Sequence, residues 1–224
     1  MKLPRPPSLP STIHRVLNRV NAMHRQQLLR LLAQHRSPFM DESAYIKRSR
    51  EFIEQHPDCF HCDLWPAHVT GSAWVVNPDR SRVLLMHHRK HDQWFQPGGH
   101  ADGEADIVAV ALRETSEESG IDPQHIRLLD GRIFDLDIHR IPASHRGPEH
   151  EHVDVRFLVE IDDRLPLPGN DESHDVKWVP LGQVPRFNNN RSTFRMVEKT
   201  RRLRARGGRW AAREERGWSA VPAR

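Results

Sequence analysis

The stretch GGHADGEADIVAVALRETSEESGI, residues 98–121, decides how this chain is read. Apolar residues recur at helical spacing after a glycine pair, and Gly120 stands where a helix commonly ends, so a helix is predicted from about Glu104 to Ser119. Glu114, Glu117 and Glu118 stand at i, i+3 and i+4, which puts three carboxylates on one face. Like charges at these spacings cost about 0.2–0.5 kcal/mol per pair unless a counterion offsets them. A hard divalent cation reverses that balance. An oxygen-only ligand set, without thiolate or imidazole, suits Mg²⁺ and secondarily Mn²⁺. Ile107, Val110 and Ala111 lie on the same stripe one or two turns earlier, so the helix buries its first half and presents carboxylates from its second. Gly98-Gly99 permits the close backbone approach that a phosphate or metal site requires. A solvated, charge-rich helix face is the bland explanation for the glutamates alone. The glycine pair at fixed spacing argues against it.

Moving outward, residues 68–77 and 82–89 read as strands separated by the turn signal Asn77-Pro78-Asp79. Further strands are predicted at 125–138, 151–161 and 175–180, with a polar loop at 139–150 and a basic helix at 191–206. Upstream, residues 1–10 hold four prolines. A helical pattern then runs from Ser11 to Pro38, and Asp41 is placed to cap a second helix through Glu54. The expected organisation is an N-terminal helical extension (1–66), an α/β domain (67–187) and a basic C-terminal helix and tail (188–224).

The central segment resembles the Nudix box, G-x5-E-x7-R-E-U-x-E-E-x-G-U, where U is a bulky apolar residue. Gly99 matches the first glycine, Arg113-Glu114 the R-E pair, and Glu117, Glu118, Gly120 and Ile121 the E-E-x-G-U run. The preceding LLMHHRKHDQWFQPGGH is similar to the family's strand and W-x-x-P-G-G loop, and DVKWVPL at 175–181 to its later W-V-x-L strand. Two positions depart. The first glutamate of the box falls on Ala105, with Glu104 one position early, and Thr115 replaces a bulkier apolar residue. A loop one residue shorter, with the helix starting sooner, would let Glu104 serve instead. The resemblance implies a Nudix α/β/α sandwich with a mixed sheet. It also implies a Mg²⁺-dependent pyrophosphohydrolase, with Glu114, Glu117 and Glu118 holding metal together with the Gly99 carbonyl. Glu117, Glu114 or Glu104 would accept a proton from water, and Arg113 would orient a carboxylate. The implied substrate is a small nucleoside-diphosphate-linked compound. An RNA 5′-end pyrophosphohydrolase and a catalytically silent Nudix-like binding protein are the alternatives, and a homodimer is allowed.

Around the box, His87 and Arg89 end a strand and are candidates to hold a phosphate. Trp94 and Phe95 offer stacking surface for a base or belong to the core, and His100 follows the glycine pair within reach of substrate. Glu149, Glu151 and Glu172 are candidates for a further carboxylate downstream of the box. The run Glu149-His150-Glu151-His152 also admits a zinc reading, which the oxygen-rich box disfavours. Cys59-Phe60-His61-Cys62 is a single C-x-x-C without the second pair that a structural zinc needs, so reduced thiols are expected.

The 224 residues carry a formal net charge of +4. That value hides a segregation: +4 over 1–66, −8 over 67–186 and +8 over 187–224. Part of the central acidity is the carboxylate cluster itself. The basic C-terminal segment carries no recognised nucleic-acid-binding motif, so it is expected to pack on the acidic domain, pair with it, or steer substrate. No uncharged apolar run approaches the roughly 18 residues of a membrane helix. There is no signal-like apolar core at the N-terminus, and two cysteines make no disulfide framework. A cytoplasmic protein without membrane association is expected.

Overall fold

The computed structural model describes residues 25–90, 92–144 and 147–207. The predicted helix beginning at Ser11 is therefore seen only from residue 25, where 25–34 are helical (α1). The tail beyond 207 lies outside the described residues. In chain order there follow α2 (Met40–Gln55), β1 (Ala67–Val76), β2 (Arg82–His88), β3 (Gln93–Phe95), β4 (Gly98–His100) and α3 (Ile107–Ser119). Then come β5 (Arg127–Leu128), β6 (Asp135–Ile141), β7 (His150–Glu160), β8 (Ser173–Pro180), α4 (Val184–Phe187) and α5 (Arg191–Ala205). Among the described residues, no helix is long and apolar enough to cross a membrane.

All eight strands join one mixed sheet. Its axis is the parallel pair β1–β7, in register from Ala67↔Glu151 to Val76↔Glu160. Every residue of β1 is buried, because helices cover both faces. Side chains alternate, so Val69, Ala73 and Val75 join one core with Ile107, Val110 and Ala111 of α3 and with Leu28, Leu32 and Ile53. Trp74 and Val76 point the other way, into a second core with Met196, Val197 and Leu203 of α5. Gly71 lies under α3. A Cβ there would meet Ile107 O and Val110 Cγ1 at 3.0 Å, so the bare backbone sets the depth of the helix.

Several expected boundaries move. The box helix begins at Ile107, because Asp106 caps it by accepting from the Val108 and Ala109 amides. The predicted strand 125–138 is two strands, β5 and β6, separated by an irregular stretch. The N-cap of α2 is Phe39, and Asp41 instead pairs with Arg191 and Arg195.

Helix α5 is an integral layer. Its Thr200 hydroxyl accepts from Trp74 Nε1 at 2.8 Å. Phe194 is 50% exposed, while Arg195 is buried. Arg195 reaches Asp135 at 2.8 Å and Asp41 at 2.7 Å, and Lys199 reaches Asp135 and Glu42 at 2.7 Å. The Leu136 amide at the β6 edge donates to Glu42, which also faces His35. Burial opposes the Glu42 charge, but the His35 hydrogen bond and the Lys199 charge hold its pKa down to about 2. The basic surplus of the C-terminal segment is thus partly spent on the acidic centre, inside the molecule.

Candidate active site

The α3 helix aims its second half at β4. Asp106 fixes its start, and Gly120, in the left-handed conformation at φ 72°, ends it. Thr115 is fully buried, and its hydroxyl donates to Ala111 O at 2.7 Å, so the helix itself satisfies the polar group that stands in an apolar position. Glu118 is buried and accepts from the Gly98 amide at 2.9 Å. Glu114 is half-buried beside Gly99. A Cβ on Gly99 would sit 2.6 Å from the Glu114 carboxyl carbon, so only glycine leaves that cradle open. Glu117 is exposed. Arg113 bridges Glu114 at 2.7 Å and Glu117 at 3.2 Å and donates to the His100 carbonyl at 3.3 Å.

Electrostatics mark this cluster as short of positive charge. Burial pushes the Glu118 carboxyl up to about 8. The Gly98 amide opposes that shift, while Glu114, Glu172 and Glu117 reinforce it. Burial also raises Glu114, against the pull of Arg113. Carboxylates whose charges are penalised by desolvation and by one another are ready to receive a hard cation. Glu172 belongs to this neighbourhood. Of the three downstream carboxylates, Glu149 pairs with Arg140 and Glu151 with Arg48.

A family model of the NUDIX domain matches residues 66–200. The chain belongs to this family. It is 26% identical over 98 residues to a probable DHNTP pyrophosphohydrolase of Lactococcus lactis, covering 43% of this chain and 55% of that protein. It therefore spans about half the length of that relative. It is also 26% identical over 132 residues to the phosphatase NudJ of Escherichia coli K12, covering 58% of this chain and 78% of NudJ. The fold is similar to that of a Caenorhabditis elegans Ap4A hydrolase, with a TM-score of 0.51 and 16% identity, over 61% of this chain and 97% of that one. Family and relatives support a hydrolase acting on phosphorus-containing acid anhydrides, as the sequence implies, and the mixed α/β fold is the Nudix one.

In this Nudix domain the other candidate residues fall in three places. Glu104 is exposed and accepts from the Asp106 amide at 2.8 Å, just ahead of the helix. The helix therefore starts later than the offset of Glu104 suggested, and Ala105 is buried in the core. His87 stacks on Trp94 with ring centroids 4.9 Å apart, and it pairs with Asp92 at 2.9 Å. The Trp94 ring also carries the Lys177 ammonium at 4.1 Å and the edge of Phe187, so its aromatic surface is engaged within the protein. Arg89 lies just beyond β2, whose register with β8 shifts between His87 and His88. Its Nε donates to Ser173 O at 2.8 Å.

His100 follows Gly99 in β4 and so projects to the opposite sheet face. It is the register partner of Thr70 and stands among His68, His150 and His152. Burial and the neighbouring imidazoles hold His68 down to about 4 and His152 down to about 2. Sequence reasoning gave no place to His68 in this group. The available signal was β-strand alternation combined with the β1–β7 register, which no local pattern supplies. The cysteines are free. Cys59 lies in the core with its thiol pushed up to about 12 by burial, and Cys62 is exposed.

Proposed function

We propose that this chain is a Mg²⁺-dependent pyrophosphohydrolase that cleaves the diphosphate bond of a small nucleoside-diphosphate-linked substrate. The observation that carries the reading is the convergence of Glu114 and Glu118 on the Gly98-Gly99 backbone, with Glu117 one turn away and Arg113 bridging two of the three carboxylates. The donor set fits a hard cation, because it consists of carboxylate and carbonyl oxygens and its buried member, Glu118, is disfavoured as an anion by burial and by the neighbouring carboxylates.

Glu114, Glu117, Glu118 and the Gly99 carbonyl would hold Mg²⁺. When bound, the ion supplies Lewis acidity and charge neutralisation toward a diphosphate. Arg113 keeps the Glu114 and Glu117 carboxylates oriented. Glu117 is the exposed member, accessible to water, and it serves as the proton acceptor in this reading. His87 and Arg89 remain candidates for phosphate contact, and substrate choice rests with the loops around them.

A panel of nucleoside-diphosphate-linked compounds, nucleoside triphosphates and a triphosphorylated oligonucleotide, assayed with Mg²⁺ and Mn²⁺, tests the reading. Metal-dependent release of phosphate-containing product is expected from the small substrates, falling by ~10²–10⁴-fold in Glu117→Gln. Ligand binding without turnover would instead support the silent binding protein, and turnover confined to the oligonucleotide would support the RNA reading.

A further inference from the structure

Four strands bring imidazoles together on the sheet face that α3 does not cover. Register pairs His68 of β1 with His152 of β7, and His139 of β6 with His152, while His100 enters from β4. One ring nitrogen from each of His68, His100 and His152 lies within 4.8 Å of the other two. The His152 Nε2 is 3.3 Å from His100 Nε2 and 3.3 Å from His150 Nε2. A single nitrogen carries one proton or one lone pair, so hydrogen bonding can satisfy only part of this arrangement.

The tautomers are set from behind. His68 Nδ1 lies 3.4 Å from the Leu64 carbonyl and His150 Nδ1 2.9 Å from the Pro148 carbonyl. A carbonyl can only accept, so these contacts put the hydrogen on Nδ1 and leave Nε2 with a lone pair, which in His150 faces His152 Nε2. The His68 Nε2 is buried and has no hydrogen-bond partner among the described residues. A buried, unpartnered nitrogen beside two others lacks an electrophile that a proton supplies poorly and a metal ion supplies well.

We infer that His68, His100 and His152 form a binding site for one divalent transition-metal ion of the zinc class, distinct from the carboxylate site of α3. Bonds of about 2.0–2.1 Å in a tetrahedron place ligand nitrogens roughly 3.3–3.4 Å apart, the spacing seen between His152 and His100. An all-imidazole set selects zinc, copper, nickel or iron over Mg²⁺, whereas the α3 carboxylates select the reverse, so the two sites sort metals by ligand softness. Three protein ligands leave a fourth position for water or a substrate oxygen. His150 stands at its rim, with Trp65 packed edge-on against the imidazole at 4.7 Å. The inference does not depend on the hydrolase reading, since no α3 carboxylate is a ligand.

The test uses tag-free, chelator-treated full-length protein in excess Mg²⁺, titrated with Co²⁺ and then Zn²⁺. One Co²⁺ per chain is expected, with the intense visible bands of tetrahedral cobalt, and stoichiometric Zn²⁺ should displace it. His68→Ala and His152→Ala should each weaken Co²⁺ binding by more than the ~10–100-fold that loss of an outer-shell partner costs. Glu117→Gln should bind as the wild type does. X-ray absorption of the zinc-loaded wild type should show imidazole scattering, and it keeps the test valid if a histidine variant fails to fold. The inference is overturned if cobalt gives only weak octahedral bands, if both histidine variants retain wild-type affinity, or if the zinc shell holds oxygen alone.

Discussion

The Gly98 amide donates to the Glu118 carboxylate across 2.9 Å, tying the start of β4 to the last turn of α3. This one bond orients a buried carboxylate whose charge burial itself disfavours. Replacing Glu118 with Gln removes that penalised charge. At pH 8 the metal-free variant is expected to melt no lower than the wild type. The rise in Tm that Mg²⁺ gives the wild type should disappear, as thermal melts with Mg²⁺ and with chelator will show.

Gly99→Ala and Gly98→Ala should separate function from stability. At Gly99 the added methyl meets the end of the flexible Glu114 side chain, so the fold persists while a ligand moves. A displacement on the order of 1 Å should cost ~10²-fold in kcat. At Gly98 the methyl meets Ser72 Cα at 2.8 Å, backbone that cannot swing away. That substitution should destabilise by about 1–3 kcal/mol in denaturant melts.

Acid should unfold the protein partly through Glu42. Its folded pKa of about 2 lies below the ordinary glutamate value of 4.5, so the unfolded chain takes up the proton first. The contribution is fully present above about pH 4.5 and is lost as pH falls toward 2. Glu42→Gln leaves the half-buried Lys199 ammonium with Asp135 as its remaining carboxylate partner among the described residues. It should cost about 3–5 kcal/mol at pH 7 and flatten this part of the stability–pH profile.

Glu104→Gln addresses the displaced glutamate of the box. The Glu104 side chain accepts from the Asp106 amide and lies ahead of the helix. A metal or proton-transfer role predicts a raised Mg²⁺ requirement or a rate loss of ~10²-fold or more. An unchanged rate and metal requirement would leave Glu104 as a loop-shaping residue.

Truncation tells the basic segment apart from the fold. A chain ending at residue 187 loses α5, with buried Met196, Val197 and Leu203 and the Trp74–Thr200 hydrogen bond, and should not fold. A chain ending at residue 207 keeps all of these. It should melt near the wild type and retain turnover of a small substrate, which makes it the informative variant for any RNA activity.

The box was legible because its residues act within one helix and the turn before it. Glu114, Glu117 and Glu118 share a face by spacing alone, and Gly120 ends the helix by backbone freedom alone. The start of the helix was misplaced because Asp106 competes with Glu104 for the same boundary, and capping geometry decided it. On α5 the aromatic Phe194 is exposed and Arg195 is buried. Hydrophobic patterning puts the aromatic inside, whereas four carboxylates from α2 and β6 reward burial of the guanidinium.

By itself the sequence determined the family and the carboxylate stripe, because these depend on residues close along the chain. Only the tertiary structure decided that the basic helix is partly spent on internal ion pairs, that Trp94 stacks on His87, and that histidines 84 residues apart in β1 and β7 meet at His68 and His152. Parallel strand register sets those meetings. It is fixed by the burial of whole strands on both faces, a property that no local spacing encodes.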